Sequence, residues 1–270
     1  MYDILALILI LVFVGMSLRW NWWRKKRQGV TILMYHNIDL APRDSKMKKL
    51  WISPMMFEKQ MKFLSKGEYN VITLRELYNA FSEKRNLGDK TVVITFDDGF
   101  LNNYTHAFSI LKKYNFKATV FLSVAYVGDK SAWNSNSVES PHDMLGWENI
   151  REMFDYGIDF GSHTLTHANL IYCKDEPRRL SFELNESKRI IEEKLNMPVM
   201  AFAYPYGAGA YDENIKKSVK VAGYHLACGI KQGKAQLSQK NMFNLRRVLV
   251  RGDENMFDFR LNIERGKARL

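Results

Sequence analysis

Residues 91–99 read Thr-Val-Val-Ile-Thr-Phe-Asp-Asp-Gly, and this stretch decides the fold class of the chain. Its first six residues are the β-branched and aromatic run that is typical of a buried strand. Two carboxylates, Asp97 and Asp98, follow directly and are succeeded by Gly99. Because successive side chains at a strand end point in different directions, the two acids can meet different partners. A plain Asp-Gly turn would account for the same residues.

Six further β-rich runs lie on both sides of this strand, at residues 30–36, 118–123, 158–162, 200–204, 224–228 and 245–250. Helical stretches alternate with them, at residues 54–65, after Thr73, and at residues 102–114, 147–156, 182–195 and 212–221. Strands that alternate with helices favour a parallel sheet. The sequence therefore predicts an α/β fold, a distorted (β/α) barrel of about seven parallel strands, with its chemistry at the C-terminal strand ends.

Chemically capable residues stand at four of these strand ends. The first strand ends at His36, the fourth runs into His163 and His167, and the fifth runs into Pro205 and Tyr206. Two imidazoles four residues apart can share a metal, and two histidines with one aspartate leave coordination positions open, as in catalytic zinc sites. The alternatives are that His163 and His167 are solvated or capping residues and that His36 is a core residue. A non-haem iron oxygenase would use similar ligands, but the α/β alternation disfavours that class.

The first thirty residues have a different character. Residues 4–18 carry no charge and are followed by three tryptophans within positions 20–23 and four basic residues at positions 24–27. This order predicts a membrane anchor at residues 1–23, formed by an N-terminal transmembrane helix, and a basic juxtamembrane segment at residues 24–29. A cleaved signal peptide is the alternative, but it needs an early basic region and a small-residue cleavage site.

Charge and cysteine content exclude several classes of protein. The chain has 40 Lys and Arg against 29 Asp and Glu, a net charge of +11, of which the first 29 residues contribute five basic residues against Asp3. Lipid headgroups account for that share. No dense basic and aromatic cluster indicates nucleic-acid binding elsewhere. Two cysteines exclude a disulfide-built scaffold.

Three motifs together resemble the polysaccharide deacetylase family, also called the NodB-homology domain or carbohydrate esterase family 4. They are TFDDG at residues 95–99, HTLTH at residues 163–167 and AYPYG at residues 203–207. The resemblance extends over roughly residues 30–255. The family's C-terminal Leu-x-x-His motif is matched instead by LMYH at residues 33–36, which is similar to a permuted branch that includes poly-N-acetylglucosamine deacetylases.

The resemblance implies a metal-dependent hydrolase that removes N-acetyl groups from an N-acetylglucosamine-containing exopolysaccharide or cell-wall glycan, with residues 30–270 as its catalytic domain. By motif, Asp98, His163 and His167 would hold a divalent metal. Zinc suits these ligands best, with Co²⁺ or Ni²⁺ as alternatives. Asp97 would be the general base, and protonated His36 would donate to the leaving amine.

Four residues are expected to contact substrate or the developing oxyanion. The amide of Tyr206, beside Pro205, is the expected oxyanion donor, and Trp147 is the expected aromatic wall. The arginine that the family carries before its proline is missing here. Arg247 is expected to replace it, ahead of Arg246, although Trp147 could equally pack in the core and Arg247 could be a surface charge.

The expected partners are an acetylated glycan polymer, the membrane and an exopolysaccharide synthesis machinery, and no nucleic acid. The basic flank after the anchor would place the catalytic domain in the cytosol by the positive-inside rule. The presence of acetylated polymers outside the cell favours an extracytoplasmic domain on a single-pass anchor. An O-acetyl esterase and a membrane-tethered, non-catalytic glycan-binding module are the alternative functions.

Overall fold

The structure is a computed structural model that describes residues 2–20, 22–23, 25–131, 133 and 140–269. Its strands are β1 Thr31–Tyr35, β2 Asn37–Ile38, β3 Trp51–Ile52, β4 Asn70–Ile72, β5 Thr91–Phe96, β6 Thr119–Leu122, β7 Asp159–Ser162, β8 Ala201–Ala203, β9 Leu226–Gln232 and β10 Leu245–Leu249. Its α-helices are α1 Tyr2–Arg19, α2 Pro54–Lys66, α3 Leu74–Ser82, α4 Ser109–Lys113, α5 Trp147–Tyr156, α6 Pro177–Leu195, α7 Glu213–Val221 and α8 Met256–Arg265.

Seven parallel strands close into a barrel, as the alternation of strands and helices predicted. The order is β1, β10, β9, β8, β7, β6 and β5, and β5 pairs back to β1. Leu33 of β1 lies opposite Val248 of β10 on one side and Ile94 of β5 on the other. The short β4 pairs only with the first half of β5, whose second half pairs with β6. Barrel closure brings the first and last strands together.

Both faces of the barrel strands are buried. Neighbouring residues of β1 belong to two different hydrophobic clusters. Ile32 packs with Val93 and Phe121, whereas Leu33 belongs to the cluster that contains helix residues such as Phe57. This alternation follows from the two-residue period of a strand. All five residues of β1 are buried, which explains why the strands read as continuous apolar runs.

Two helix starts have the caps that the sequence indicates. The Ser53 hydroxyl accepts a hydrogen bond from the Met56 amide at 3.3 Å, ahead of α2. Thr73 and Glu76 form a reciprocal capping box at the start of α3, with distances of 2.7 and 3.1 Å. Such caps satisfy amides at the first turn that have no partner within the helix.

The predicted transmembrane helix is not supported. An α-helix does form at α1, but within the described part of the chain no helix combines the length and the apolar character that crossing a membrane requires. The Trp20 indole donates to Asp258 of α8 at 2.6 Å, and Arg265 donates to the Trp22 carbonyl at 2.6 Å. Arg24 of the basic cluster lies outside the described residues.

Candidate active site

A cavity of about 340 Å³ opens at the C-terminal ends of the barrel strands. Six of the residues predicted for the site line it: His36, Asp97, Asp98, His163, His167 and Tyr206. Apolar and aromatic side chains form much of the remaining wall, including Met34, Trp51, Phe100, Trp133, Tyr204, Ile230 and Leu249. The barrel therefore brings together side chains from β1, β5, β7 and β8, as the expected position of the chemistry requires.

Asp98, His163 and His167 converge on one point. The Asp98 Oδ1 atom lies 3.4 Å from His163 Nε2 and 3.1 Å from His167 Nε2, and all three side chains are buried. His163 Nδ1 lies 2.8 Å from the Ala203 carbonyl oxygen, which can only accept, so Nδ1 carries the proton. In a neutral ring Nε2 then has a lone pair facing a carboxylate oxygen. Two acceptors at this distance need a cation or a proton between them, so the three residues fit a metal.

The charges of the cluster support this fit. Burial by itself would raise the pKa of the Asp98 carboxyl, but the adjacent imidazoles of His163 and His167 outweigh it and hold that pKa well below its ordinary value. Burial lowers the pKa of His167 more than the Asp98 carboxylate raises it. Burial would also lower the pKa of His163, but the Asp98 and Asp97 carboxylates outweigh it and raise that pKa. A bound metal would take the place of the proton on that imidazole, because metal ligands bind in their deprotonated forms.

Asp97 and Arg247 form a buried bidentate ion pair. Arg247 Nη1 lies 2.6 Å from Asp97 Oδ1 and Nη2 lies 2.7 Å from Oδ2, while its Nε donates to the Gly229 carbonyl at 3.0 Å. The Arg247 side chain is 0% exposed, which rules out the alternative of a surface charge. Burial alone would raise the pKa of Asp97, but the Arg247 guanidinium outweighs it and holds the pKa below its ordinary value. Strand β10 thus places an arginine beside the acid.

Backbone geometry at the site is unusual. Asp98, Thr164, His167 and Tyr206 all have positive φ angles, between 57° and 76°, and none of them is glycine. Residues with a Cβ rarely adopt this left-handed region and do so at an energetic cost, so such residues cluster where function requires a particular geometry. The surrounding contacts must hold these conformations.

Tyr206 contacts the Asp98–His163–His167 cluster through its side chain. Its hydroxyl lies 3.0 Å from His167 Nδ1, and Pro205 precedes it at the start of a short 3₁₀ turn, Pro205–Gly207. The sequence singled out the Tyr206 amide and did not indicate this contact. The hydroxyl fixes the orientation of the His167 ring, as a partner behind a metal-binding imidazole does.

His36 lines the cavity. Its Nδ1 is buried and has no hydrogen-bond partner among the residues that the structure describes. Its backbone is fixed by Asn103, whose side-chain amide donates to the His36 carbonyl at 2.8 Å. A buried polar atom without a partner is uncommon, and it marks this ring as one whose function is worth testing.

Trp147 is not among the residues that line this cavity, so its expected contact with substrate stays a prediction. Trp147 begins α5, packs half-buried against the helical side of the core and has the Lys194 ammonium 5.8 Å from its ring. Trp133 takes the expected place: it lines the cavity, and its ring stacks on His167 with centroids 4.5 Å apart. Trp133 lies in no recognisable motif, which is why sequence reasoning missed it.

Comparisons with known proteins show which family this chain resembles. The family model described as polysaccharide deacetylase matches residues 84–227. YxkH of Bacillus subtilis (strain 168) is 30% identical over 226 residues, covering 84% of this chain and 73% of its own length. A poly-beta-1,6-N-acetyl-D-glucosamine N-deacetylase of Staphylococcus aureus (strain MRSA252) is 27% identical over 246 residues, covering 84% and 81%.

A solved structure has the same fold. The deacetylase PplD of Streptococcus pyogenes, in complex with acetate, aligns with a TM-score of 0.70 at 26% identity, over 84% of this chain and 94% of that one. The extent of the family match, the identity to YxkH and the residues gathered at the barrel mouth lead to one conclusion. This chain belongs to the polysaccharide deacetylase family.

Proposed function

We propose that this deacetylase is metal-dependent and removes N-acetyl groups from a polysaccharide that contains N-acetylglucosamine. The observation that carries the proposal is the position of a buried, ionised Asp97 next to the Asp98–His163–His167 cluster, in one cavity. The similarity to the Staphylococcus aureus enzyme, whose name specifies poly-beta-1,6-N-acetyl-D-glucosamine, supports the choice of substrate.

Asp98, His163 and His167 would hold the metal, and zinc suits one oxygen and two nitrogen ligands best, with Co²⁺ and Ni²⁺ as alternatives. A divalent metal in such a site polarises a bound carbonyl and acidifies water. The work of moving protons belongs to Asp97 and His36.

Asp97 is the general base. The Arg247 guanidinium keeps its carboxylate ionised in a buried position, so it can accept a proton from water. His36, which lines the same cavity, would give a proton to the leaving amine of the sugar. The Tyr206 amide is the proposed donor to the developing oxyanion. The apolar cavity wall around Met34 and Leu249 suits the acetyl methyl group.

Acetate release from defined glycans tests the proposal. The full chain is stripped with a chelator, reloaded with Zn²⁺ and assayed on N-acetylglucosamine oligomers and on O-acetylated xylan. We expect Asp97→Asn to lose deacetylation while still binding zinc, and His163→Ala to lose zinc. Asp155→Asn, which changes an exposed acid of α5, is the matched control.

Three results would contradict the proposal. Retained acetate release in both Asp97→Asn and His163→Ala would refute the assigned roles. Activity on O-acetylated xylan alone would favour an ester substrate, because the same site can attack an ester. Binding of the oligomers without any acetate release would favour a glycan-binding module.

We further propose that the chain is attached to a membrane through α1, with its catalytic domain outside the cell. Apolar side chains of α1 such as Leu9 and Phe13 are exposed around the helix, at 61% and 58%, and Lys25 and Lys26 follow it. Exposed apolar surface of this extent favours a lipid environment. Such a location would bring the site to a polymer leaving its synthesis machinery.

Cell fractionation and protease accessibility test the location. We expect the full chain in the membrane fraction and cleaved by protease added to intact cells, and Leu9→Lys, which puts a charge on α1, shifted to the soluble fraction. Leu40→Lys, at an exposed apolar position outside the helix, is the control. An equal distribution of the parent chain and Leu9→Lys, or a protected domain, would contradict the proposal.

A further inference from the structure

The loop that supplies both histidines is held in a constrained shape. It begins at His163, directly after β7, and ends at His167. Thr164 and His167 adopt left-handed φ angles of 64° and 57° although both have a Cβ. A loop with two such residues relaxes toward ordinary backbone geometry unless other contacts determine it.

Glu183 of α6 provides those contacts. Its carboxylate accepts hydrogen bonds from the Leu165 amide at 3.0 Å, the Thr166 amide at 2.9 Å and the Thr166 hydroxyl at 2.6 Å. The residue is only 4% exposed. A carboxylate is an acceptor without protons of its own, so three donors from one short segment match it well. Those donors lie between the two histidines in the chain.

The next turn of the same helix supports the start of the loop. The Ser187 hydroxyl lies 2.8 Å from the Ser162 hydroxyl, and the Ser162 oxygen accepts the Thr164 amide at 3.1 Å. Residues 183 and 187 are four apart and share a helix face. One face of α6 therefore determines the backbone that carries both imidazoles. Glu183 itself is not one of the three candidate metal ligands.

We propose that Glu183 is a positioning residue for the metal, acting through the backbone of Leu165 and Thr166 to bring the two Nε2 atoms to one point. This inference rests on the proposed metal site. A merely structural role, tying α6 to the barrel, would affect stability alone. A positioning role requires that the affinity for metal changes as well, because the imidazole directions depend on the backbone that the carboxylate holds.

Zinc affinity of the purified full chain, measured by competition with a chromophoric chelator, tests the proposal. We expect Glu183→Ala to weaken zinc binding by about 10–100-fold, the usual effect of removing a partner behind the metal ligands. Glu183→Gln keeps one acceptor oxygen and is expected to recover part of that affinity. Glu193→Ala, an exposed acid on the same helix, is the control and should bind zinc like the parent chain.

A second readout is the visible absorption of the Co²⁺-loaded chain, which reports ligand geometry. It should change in Glu183→Ala and stay unchanged in Glu193→Ala. If Glu183→Ala does not fold, Thr166→Val, which removes one of the three donors, takes its place, and a several-fold loss of affinity is expected.

Parent-like zinc affinity in a folded Glu183→Ala chain would overturn the inference. So would parent-like affinity in Glu183→Gln and Thr166→Val if the alanine variant does not fold. The affinity is read without deacetylation. A parent chain that binds zinc through His163 but releases no acetate would refute the proposed function and leave this inference standing.

Discussion

Replacing Arg247 with methionine tests whether this buried cation keeps Asp97 charged. The two guanidinium nitrogens lie 2.6 and 2.7 Å from the two carboxylate oxygens, and the side chains are 0% and 3% exposed. Removing one partner of a buried pair costs about 3–5 kcal/mol, because the remaining charge loses its partner. For a chain of this size that loss lowers the melting temperature by about 6–20 °C.

The pH dependence of the loss identifies its cause. In the parent chain the folded pKa of Asp97 lies below the unfolded one, so the carboxylate contributes stability that is lost only as the pH falls through the folded value. Without Arg247, burial is the largest remaining influence and raises the folded pKa above the ordinary value. Ionisation of Asp97 then opposes folding as the pH rises. The deficit of Arg247→Met is therefore expected to be larger near pH 8 than near pH 5.

Urea unfolding in the presence of a chelator, so that metal binding does not contribute, measures this deficit. Asp97→Asn and the double variant complete a cycle, and we expect the double variant to be more stable than the sum of the single effects by about 1–3 kcal/mol. Arg246→Met, at the exposed neighbouring position of β10, is the control and should change little. Additive effects, or a deficit independent of pH, would refute the reasoning.

Three further substitutions have defined outcomes. Burial raises the pKa of Glu254 to about 7, so its ionisation opposes folding as the pH rises. In urea unfolding near pH 8, Glu254→Gln should therefore have a free energy of unfolding about 1–3 kcal/mol higher than that of the parent chain. Equal free energies of unfolding at that pH would contradict this prediction. Tyr206→Phe removes the hydroxyl that lies 3.0 Å from His167 Nδ1 and should weaken zinc binding about 10-fold. Parent-like zinc affinity would show that the hydroxyl does not orient the ring. His36→Gln should lower kcat by about 10²–10⁴ with zinc content unchanged, and a parent-like kcat would exclude it as the acid.

Local patterns were sufficient for most of the fold. The seven barrel strands and the capping residues Ser53 and Thr73 follow from β-rich runs and from short-range capping rules, and all of them are confirmed. The strands β2 and β3 have two residues each, too few to show a period, and α8 had no signal strong enough to be predicted. Elements of this kind depend on contacts distant in sequence.

The candidate site divides in the same way. Asp97, Asp98 and the histidine pair stand in compact motifs, so their grouping at one end of the barrel could be predicted, and the structure places them together. Trp133 and Glu183 could not be predicted, because each reaches the site through the packing of a distant loop or helix. For the same reason the sequence could not show that Trp147 packs against the core and does not line the cavity.

The pairing of β1 with β10 has a consequence for when the enzyme becomes competent. His36 follows the first barrel strand and Arg247 belongs to the last, and the two strands are neighbours only when the barrel closes. Until β10 has been synthesised, Asp97 has no cation to face and the histidine side of the mouth has no adjoining wall. In the proposed mechanism, a growing or C-terminally shortened chain would carry Asp98, His163 and His167 and still lack the arginine that keeps Asp97 ionised. On that mechanism, activity would require nearly the whole chain, because β10 is the last strand of the barrel.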